Sequence, residues 1–442
     1  MLKIRTFSCK ALTNLYIQGM NRMRWTARLV LLATLVFPLI AQAETPSAPD
    51  LREGDFVAFL GDSITQQRRY TALVEAYLVA CQPKPALRAF QFGWSGDVLA
   101  NITPRVENDV IRFTPEIATI CYGMNDGAYR VFDPERAETY RAGLKLLVQK
   151  LKACKARRII IGTPGAVDIT TFKRTDPPVY NDTLRRFGEI GRAVAKEEGV
   201  EFADLHTPML ESETQAKATI GKDFTIANPD GFHPNWAGSM AMAYGFLKTI
   251  VGPQEIGTIN VDYKSGSADA TAGHTVKSAK DGRIEIESTR YAFCYFDDPN
   301  PPGGTRRIAP FLPFSEELNR FTLIVKDAPA KAKVTWGKTS REFTAEELSR
   351  GVNLSAAFID DNPFAEPFMK VFRAIEAKQR FEIPMIKSFV SPLPAVQSAV
   401  PERNAELASI LKTFQSKHDE LDAVIRKALV PVQHTIRIEA AN

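Results

Sequence analysis

The sequence predicts an α/β protein, in which a parallel sheet covered by helices on both faces is followed by a β-rich domain and C-terminal helices. Three observations carry this reading. Between residues 56 and 252, short apolar runs alternate with amphipathic helical stretches, giving five β/α units in about 200 residues. The apolar runs are continuous, as expected of strands buried on both faces. Beyond Gly257 the apolar period changes to two, with Gly and Pro clustered between the segments.

Phe56-Val57-Ala58-Phe59-Leu60 is the first strand, and Leu73, Val74, Tyr77 and Leu78 follow at helical spacing. Arg88–Phe92 and Ile117–Tyr122 read as the second and third strands. Asp133-Pro134 opens a helix, with Asp as N-cap and Pro in the first helical position. Its stripe runs through Ala137, Tyr140, Leu144, Leu147, Val148 and Leu151. Ile159–Ile161 is a further strand, and Leu184, Phe187, Ile190 and Val194 mark a helix stopped at Gly199. Val200–Asp204 is the last strand of this pattern, and Trp236–Val251 the last helix, closed by Gly252.

In the second region Ile259/Val261/Tyr263, Ile284/Ile286, Tyr291/Phe293/Tyr295 and Phe321/Leu323/Val325 alternate with mostly polar neighbours and read as strands. Thr344-Ala345-Glu346-Glu347 is a capping box. Two helical segments follow, one carrying Phe364, Phe368, Val371, Phe372 and Ile375, the other Leu407 to Ile425. Val432–Glu439 alternates again, as a strand returning to the β-rich module. The boundaries are therefore 1–43 for a targeting segment, 52–255 for the α/β domain, and 258–442 for a separate β-rich module with a helical excursion over about 363–429. Tyr291, Phe293, Tyr295 and Trp336 fit either a sugar-stacking surface or a sandwich core, and their strict alternation favours the core.

Charge sets limits on function. Of 56 basic residues, Lys3, Arg5, Lys10, Arg22, Arg24 and Arg28 lie in residues 1–43, which contain no acid. The remainder carries 50 basic against 51 acidic residues, a balance that gives no reason to expect nucleic acid. The basic front precedes the apolar stretch Leu29–Ile40 and Ala41-Gln42-Ala43, the pattern of a cleaved signal peptide. Its uncharged run of 15 residues, Leu29 to Ala43, is short of the ~20 that span a bilayer. The expectation is export to the periplasm or the medium, cleavage near Ala43–Glu44, and no stable membrane insertion afterwards. Cys81, Cys121, Cys154 and Cys294 then remain, none spaced as C-x-x-C, so zinc and redox motifs are absent. Cys81 and Cys154, each ending a predicted helix, are a candidate pair for a disulfide.

Four clusters fall at predicted strand ends, where open α/β sheets place their ligand sites. Gly61-Asp62-Ser63 follows the first strand. Ser63 is open to two readings, a nucleophile on a tight turn or the N-cap of a Ser63-x-x-Gln66 capping box. Gly93-Trp94-Ser95-Gly96-Asp97 follows the second strand, and Gly123-Met124-Asn125-Asp126 the third. Asn125 is either a side-chain donor to an oxyanion or a left-handed turn residue. Asp230-Gly231-Phe232-His233-Pro234 precedes the last helix, and its spacing lets the Asp230 carboxylate reach His233 Nδ1. His206, two residues after Asp204, is a weaker candidate base.

Taken in this order on this α/β pattern, the four clusters closely resemble those of the SGNH hydrolases, the GDSL-type esterase family. The resemblance covers about Gly54–Val251 and implies a flavodoxin-like three-layer fold. It implies that Ser63 is the nucleophile, that Gly96 and Asn125 are oxyanion donors, and that Asp230 and His233 complete the triad, with no metal and no cofactor. One departure is Gln91, where the family usually has Asn, which bears on how the second loop is braced. The G-x-S-x-G elbow of α/β-hydrolases occurs nowhere.

The export signal and appended module look like those of SGNH proteins from bacteria that degrade polysaccharides, so the expected substrate is an O-acetyl ester on a carbohydrate, small or polymeric. The alternatives are a lipase, lysophospholipase or thioesterase acting on longer acyl chains, an acyltransferase to a sugar hydroxyl, and a non-catalytic surface-binding protein. The polar stretch Asp168–Tyr180, with Lys173, Arg174 and Asp176, is the expected rim of the site. No long apolar stretch between Gly61 and Val251 offers a lid. Nothing in the sequence specifies an oligomeric state.

Overall fold

The structure is a computed structural model that describes residues 50–441, apart from 83, 85 and 299–302. The targeting segment 1–43 lies outside the described residues. The apolar runs form five parallel strands: β1 (Phe56–Gly61), β2 (Arg88–Gln91), β3 (Ile117–Cys121), β4 (Arg158–Gly162) and β5 (Glu201–Ala203). Their order is β2-β1-β3-β4-β5. The helices of this region are α1 (Ser63–Gln66), α2 (Arg69–Ala76), α3 (Leu99–Asp109), α4 (Pro134–Ala153), α5 (Pro177–Glu198), α6 (His206–Ile220) and α7 (Trp236–Ile250).

Successive side chains leave opposite faces of a strand, and the two faces of β1 enter different cores. Val57 and Phe59 pack with Leu73 of α2, Met209 of α6 and Met240 of α7. Phe56, Ala58 and Leu60 pack with Ile102 of α3, Leu144 of α4 and Phe187 of α5. The three layers follow from this period of two.

Beyond α7 come β6 (Glu255–Asp262), β7 (Ser267–Ala270), β8 (His274–Lys280), β9 (Arg283–Ser288) and a two-residue hairpin, β10 (Asp297–Asp298) with β11 (Gly303–Gly304). Then follow β12 (Arg320–Lys326), β13 (Lys331–Trp336), β14 (Thr339–Thr344), β15 (Val352–Asn353) and β16 (Val432–Ala440). They form two larger sheets, β15-β12-β6-β7 and β14-β13-β16-β9-β8. Phe321 of the first lies 5.6 Å from Trp336 and 6.1 Å from His434 of the second, ring centre to ring centre. The final strand returns to the middle of its sheet, between β13 and β9.

The expected strand at Tyr291–Tyr295 is extended but unpaired. Asn319 takes the place of a neighbouring strand, accepting from the Phe293 amide (2.8 Å) and donating to its carbonyl (3.0 Å). Tyr291, Phe293, Tyr295 and Trp336 are all buried, so they are core and no sugar-stacking surface. That core is continuous with the α/β layers. Tyr77, in a π-helical turn extending α2, packs 6.3 Å from Phe293 and 5.8 Å from Phe314, and its hydroxyl donates to the Leu318 carbonyl. The β-rich region is therefore not the separate module that the change of period predicts, and the described residues form one compact unit. The candidate Cys81–Cys154 disulfide is absent. Cys81 is buried in the shared core, and the Cys154 thiol donates to the Leu151 carbonyl in its own helix.

Three short helices, α8 (Phe314–Glu317), α9 (Ala345–Arg350) and α10 (Leu354–Ala357), precede α11 (Ala365–Pro384), α12 (Leu393–Ala399) and α13 (Asn404–Ala428). Helix α11 packs against α2 and β2. β2 is an edge strand, and its outward backbone groups need partners. Side chains of α11 supply them: Lys378 Nζ donates to the Ala89 carbonyl (2.6 Å), and Glu382 Oε2 accepts from the Gln91 amide (3.0 Å). Four helical residues rise about 6 Å and two strand residues about 6.6 Å, so the helical pair matches the strand pair. Glu75 of α2 pairs with Lys378 and accepts from Gln379 Nε2 (2.7 Å), while Glu382 Oε1 meets His418 Nε2 of α13 (2.9 Å). Burial works against the Lys378 charge, but Glu75, Glu382 and Asp422 outweigh it and hold the ammonium above its ordinary value.

Removing one partner of such a fully buried cluster strands the others. Lys378→Met is expected to cost about 3–5 kcal/mol of stability in chemical denaturation, and a loss below about 1 kcal/mol would contradict this account of the edge.

Candidate active site

At the end of β1 the chain turns into α1 at Gly61. A Cβ there would lie 2.0 Å from Thr65 Oγ1 and 2.8 Å from the Cys121 carbonyl oxygen, so only glycine allows the turn. Asp62 then caps α1, its Oδ1 accepting from the Ile64 amide (2.9 Å). Ser63 is the first helical residue and not the cap, which corrects the capping-box reading. The Gln66 side chain is also engaged elsewhere, Oε1 accepting from the Ser95 amide (2.7 Å). The Ser63 hydroxyl is thus released from capping, and its N–H, in the first turn, has no intrahelical acceptor.

The loop before α7 brings His233 to this hydroxyl. His233 Nε2 lies 2.8 Å from Ser63 Oγ, and His233 Nδ1 lies 2.7 Å from Asp230 Oδ2. With Nδ1 donating to the carboxylate, Nε2 accepts from the serine hydroxyl. Asp230 Oδ1 also accepts from the Phe232 (3.1 Å) and His233 (3.0 Å) amides. Burial pushes the Asp230 carboxyl up, but these bonds outweigh it and hold the group below its ordinary 3.8. Arg69 steadies the loop from α2, donating to Asn228 Oδ1 (3.0 Å) and the Pro234 carbonyl (2.7 Å). Gly231 has φ 79°, and a Cβ on it would lie 2.2 Å from the Phe172 backbone, so the 168–172 segment packs directly on the loop.

Asn125 sits beside the turn. Its Nδ2 donates to the Asp97 carbonyl (3.0 Å) and faces Asp62 Oδ2 at 3.4 Å, while its Oδ1 accepts from the Tyr129 hydroxyl (2.9 Å). That last bond orients the amide, turning its N–H groups toward Asp62. Tyr129 itself lies under Arg174, whose guanidinium is 4.1 Å from the Tyr129 ring centre and 4.4 Å from that of Phe232. Gly96 is exposed at the tip of the second loop. Gln91 Oε1 accepts from the Gly93 amide (3.1 Å), so a brace at the start of this loop is present despite the departure from Asn.

Sequence reasoning missed Tyr129, whose only signal was its place four residues beyond Asn125, and read Gln66 only as a capping partner; Arg174, expected on the rim of the site, lies over Tyr129 and Phe232. His206 is not brought to this site. It is buried at the start of α6, where burial pushes it down to about 4. Among the described residues no group of three His, Cys, Asp or Glu is placed to hold a metal ion. A cavity of about 740 Å³ is lined by Asp204, Tyr244 and Pro310 and by none of Ser63, Asp230 or His233.

Residues 59–241 match the GDSL-like lipase/acylhydrolase family. Over 220 residues the chain is 29% identical to an acetylxylan esterase of Geobacillus stearothermophilus, covering 45% of this chain and 94% of that protein. A solved acetylxylan esterase structure from the same organism aligns with a TM-score of 0.38 at 27% identity, over 45% of this chain and 95% of its own. A gut microbial diltiazem-metabolizing enzyme aligns with a TM-score of 0.70 at 22% identity, covering 89% of this chain and 99% of its own. That similarity is one of fold, and it extends through the β-rich and helical region.

Behind the turn lie three carboxyls. Burial pushes Asp62 up to about 7, with Asp126 and Asp97 adding to the rise against the Ile64 hydrogen bond. Burial likewise pushes Asp126 up to about 6, against hydrogen bonds that include those from the Leu99 and Gly123 amides. Between about pH 4 and pH 7 the folded chain keeps a proton on Asp62 that the unfolded chain has lost, so Asp62 makes stability fall as pH rises through that window. Asp62→Asn keeps a capping oxygen and removes the titration. The variant is expected to gain stability relative to the parent between pH 4 and pH 8 in denaturant titrations, and an equal difference at both pH values would contradict the assignment.

Proposed function

We infer from the match of residues 59–241 to the GDSL-like lipase/acylhydrolase family that the chain works as a carboxylic ester hydrolase. From that premise we propose that it is an exported serine esterase that removes O-acetyl groups from carbohydrates through Ser63, His233 and Asp230. The observation that carries the mechanism is the pair of contacts on His233, 2.8 Å to Ser63 Oγ and 2.7 Å to Asp230 Oδ2.

His233 Nε2 takes the Ser63 proton as Oγ attacks the ester carbonyl, and Asp230 holds the ring and balances the imidazolium charge. The tetrahedral oxyanion accepts from the Ser63 N–H, the Gly96 N–H and Asn125 Nδ2. The partial positive charge at the start of α1 acts in the same direction. The imidazolium passes its proton to the sugar oxygen as the C–O bond breaks, leaving an acetyl group on Ser63. Water, deprotonated by His233, then attacks that ester, and acetate leaves as Ser63 regains its proton. Asp62, raised to about 7 by burial, carries less negative charge beside Asn125 Nδ2 near neutral pH than an ordinary carboxylate would.

Support for the acetyl-carbohydrate substrate comes from the acetylxylan esterase relative, whose length is 94% covered. The partial exposure of the triad, with the His233 and Asp230 side chains 21% and 40% exposed, also suits a bulky alcohol part. Export rests on the basic front and the Leu29–Ala43 run.

Ser63→Ala is expected to lower kcat by about 10⁴-fold or more while the protein stays folded. Substantial turnover by the folded variant would remove Ser63 as nucleophile. The specificity constant should fall from acetyl to octanoyl esters. Each methylene in a matching channel is worth up to about 0.8 kcal/mol, so a lipid esterase would show the opposite trend. Secreted protein should begin near Glu44 by N-terminal sequencing, and a product retaining Leu29–Ala43 would mean a membrane anchor.

A further inference from the structure

The C-terminal helical region reaches the proposed oxyanion loop. A π-helical turn, Met385–Val390, extends α11 and places Lys387 beside Trp94. Lys387 Nζ donates to Gln66 Oε1 (3.0 Å) and lies 4.6 Å from the centre of the Trp94 ring. The Arg105 guanidinium lies 4.4 Å from the same ring centre. Gln66 Oε1 also accepts from the Ser95 amide (2.7 Å). One amide oxygen therefore joins three segments: α1, which carries Ser63; the loop that carries Gly96; and a helix 321 residues away in sequence. Gly96 needs such outside support. It is exposed, and a Cβ on it would meet nothing within 4 Å, so no neighbour packs on that side of the residue. The two cations at Trp94 also differ. Arg105 is neutralised by Asp97 and Asp109, whereas among the described residues Lys387 forms no ion pair, so its hydrogen bond to Gln66 is its principal polar anchor.

We propose that Lys387 is a positioning residue for the oxyanion loop, holding the Gly96 N–H at its working distance from Ser63 through Gln66 and Trp94. This rests on the triad and oxyanion assignments above. It makes the C-terminal helical region part of the catalytic apparatus, because the 52–255 segment supplies no ammonium at this place. A donor displaced by a fraction of an ångström loses transition-state stabilisation while ground-state binding is little affected.

The test is made on the full chain with an activated acetyl ester. Lys387→Met should lower kcat by about 10- to 100-fold with KM changed less than about 2-fold and the unfolding midpoint unchanged. A trifluoromethyl ketone that forms a tetrahedral adduct on serine should bind more weakly by the same factor. Lys387→Arg should restore most of the rate, since a guanidinium can still donate to Gln66 and lie against Trp94. Adding Lys387→Met to Gln66→Leu should bring little further loss, because the amide oxygen through which the ammonium reaches the loop is already gone. An unchanged kcat, a rise in KM alone, or additive losses in the double variant would each overturn the proposal. Ser63→Ala, assayed alongside, separates the two levels. If it is inert while Lys387→Met is fully active, only the positioning role falls; if it is active, the reading beneath it falls.

Discussion

An open parallel sheet leaves the backbone groups of its outermost strand without partners, and in this protein that demand falls on β2. The chain meets it with a helix instead of a sixth strand: Lys378 and Glu382 of α11 present an ammonium and a carboxylate at the spacing of the Ala89 carbonyl and the Gln91 amide. Because both groups are fully buried, they need each other and Glu75, and the helix has little freedom to sit elsewhere. The consequences run outward from this contact. α11 is held against the strand whose exit loop carries Gly96, and its continuation brings Lys387 to that loop. The β-rich region, through which the chain passes on the way to α11, is drawn onto α2 by Tyr77 and Phe293.

Within the site, three adjacent residues divide the work that one tight turn imposes. Gly61 clears the space, Asp62 caps the helix, and Ser63 is left with an unencumbered hydroxyl. The two aspartates of the site show how surroundings set protonation. Asp230 gathers three N–H donors and lies below its ordinary value, which suits a carboxylate facing an imidazolium. Asp62 is buried with Asp97 and Asp126 nearby and is raised to about 7.

The α/β half and the cluster of candidate residues were legible in the sequence for specific reasons. Strands buried on both faces leave continuous apolar runs, and strand-end turns demand glycine, so both leave marks in a single line of residues. Helices α3 and α6 were less visible. α3 carries Pro104 in its interior, and the first turn of α6 is His206-Thr207-Pro208. The alternation at Tyr291–Tyr295 misled because a side chain, Asn319, can stand in for a strand. Lys387, Gln66 and Tyr129 were illegible as site residues, since their roles depend on tertiary contacts: Gln66 and Lys387 meet across 321 residues, and Tyr129 acts through the orientation of one amide.

In the proposed reaction Ser63 carries the acyl group between substrate and water. Rapid acid quenching of the protein during turnover of an activated acetyl ester, followed by peptide mass spectrometry, tests it directly. A single added acetyl group is expected on the peptide containing Ser63, accumulating further in Asp230→Asn if deacylation is the slower step there, and absent in Ser63→Ala. Turnover with Ser63 unmodified, or acetylation confined to another residue, would contradict it.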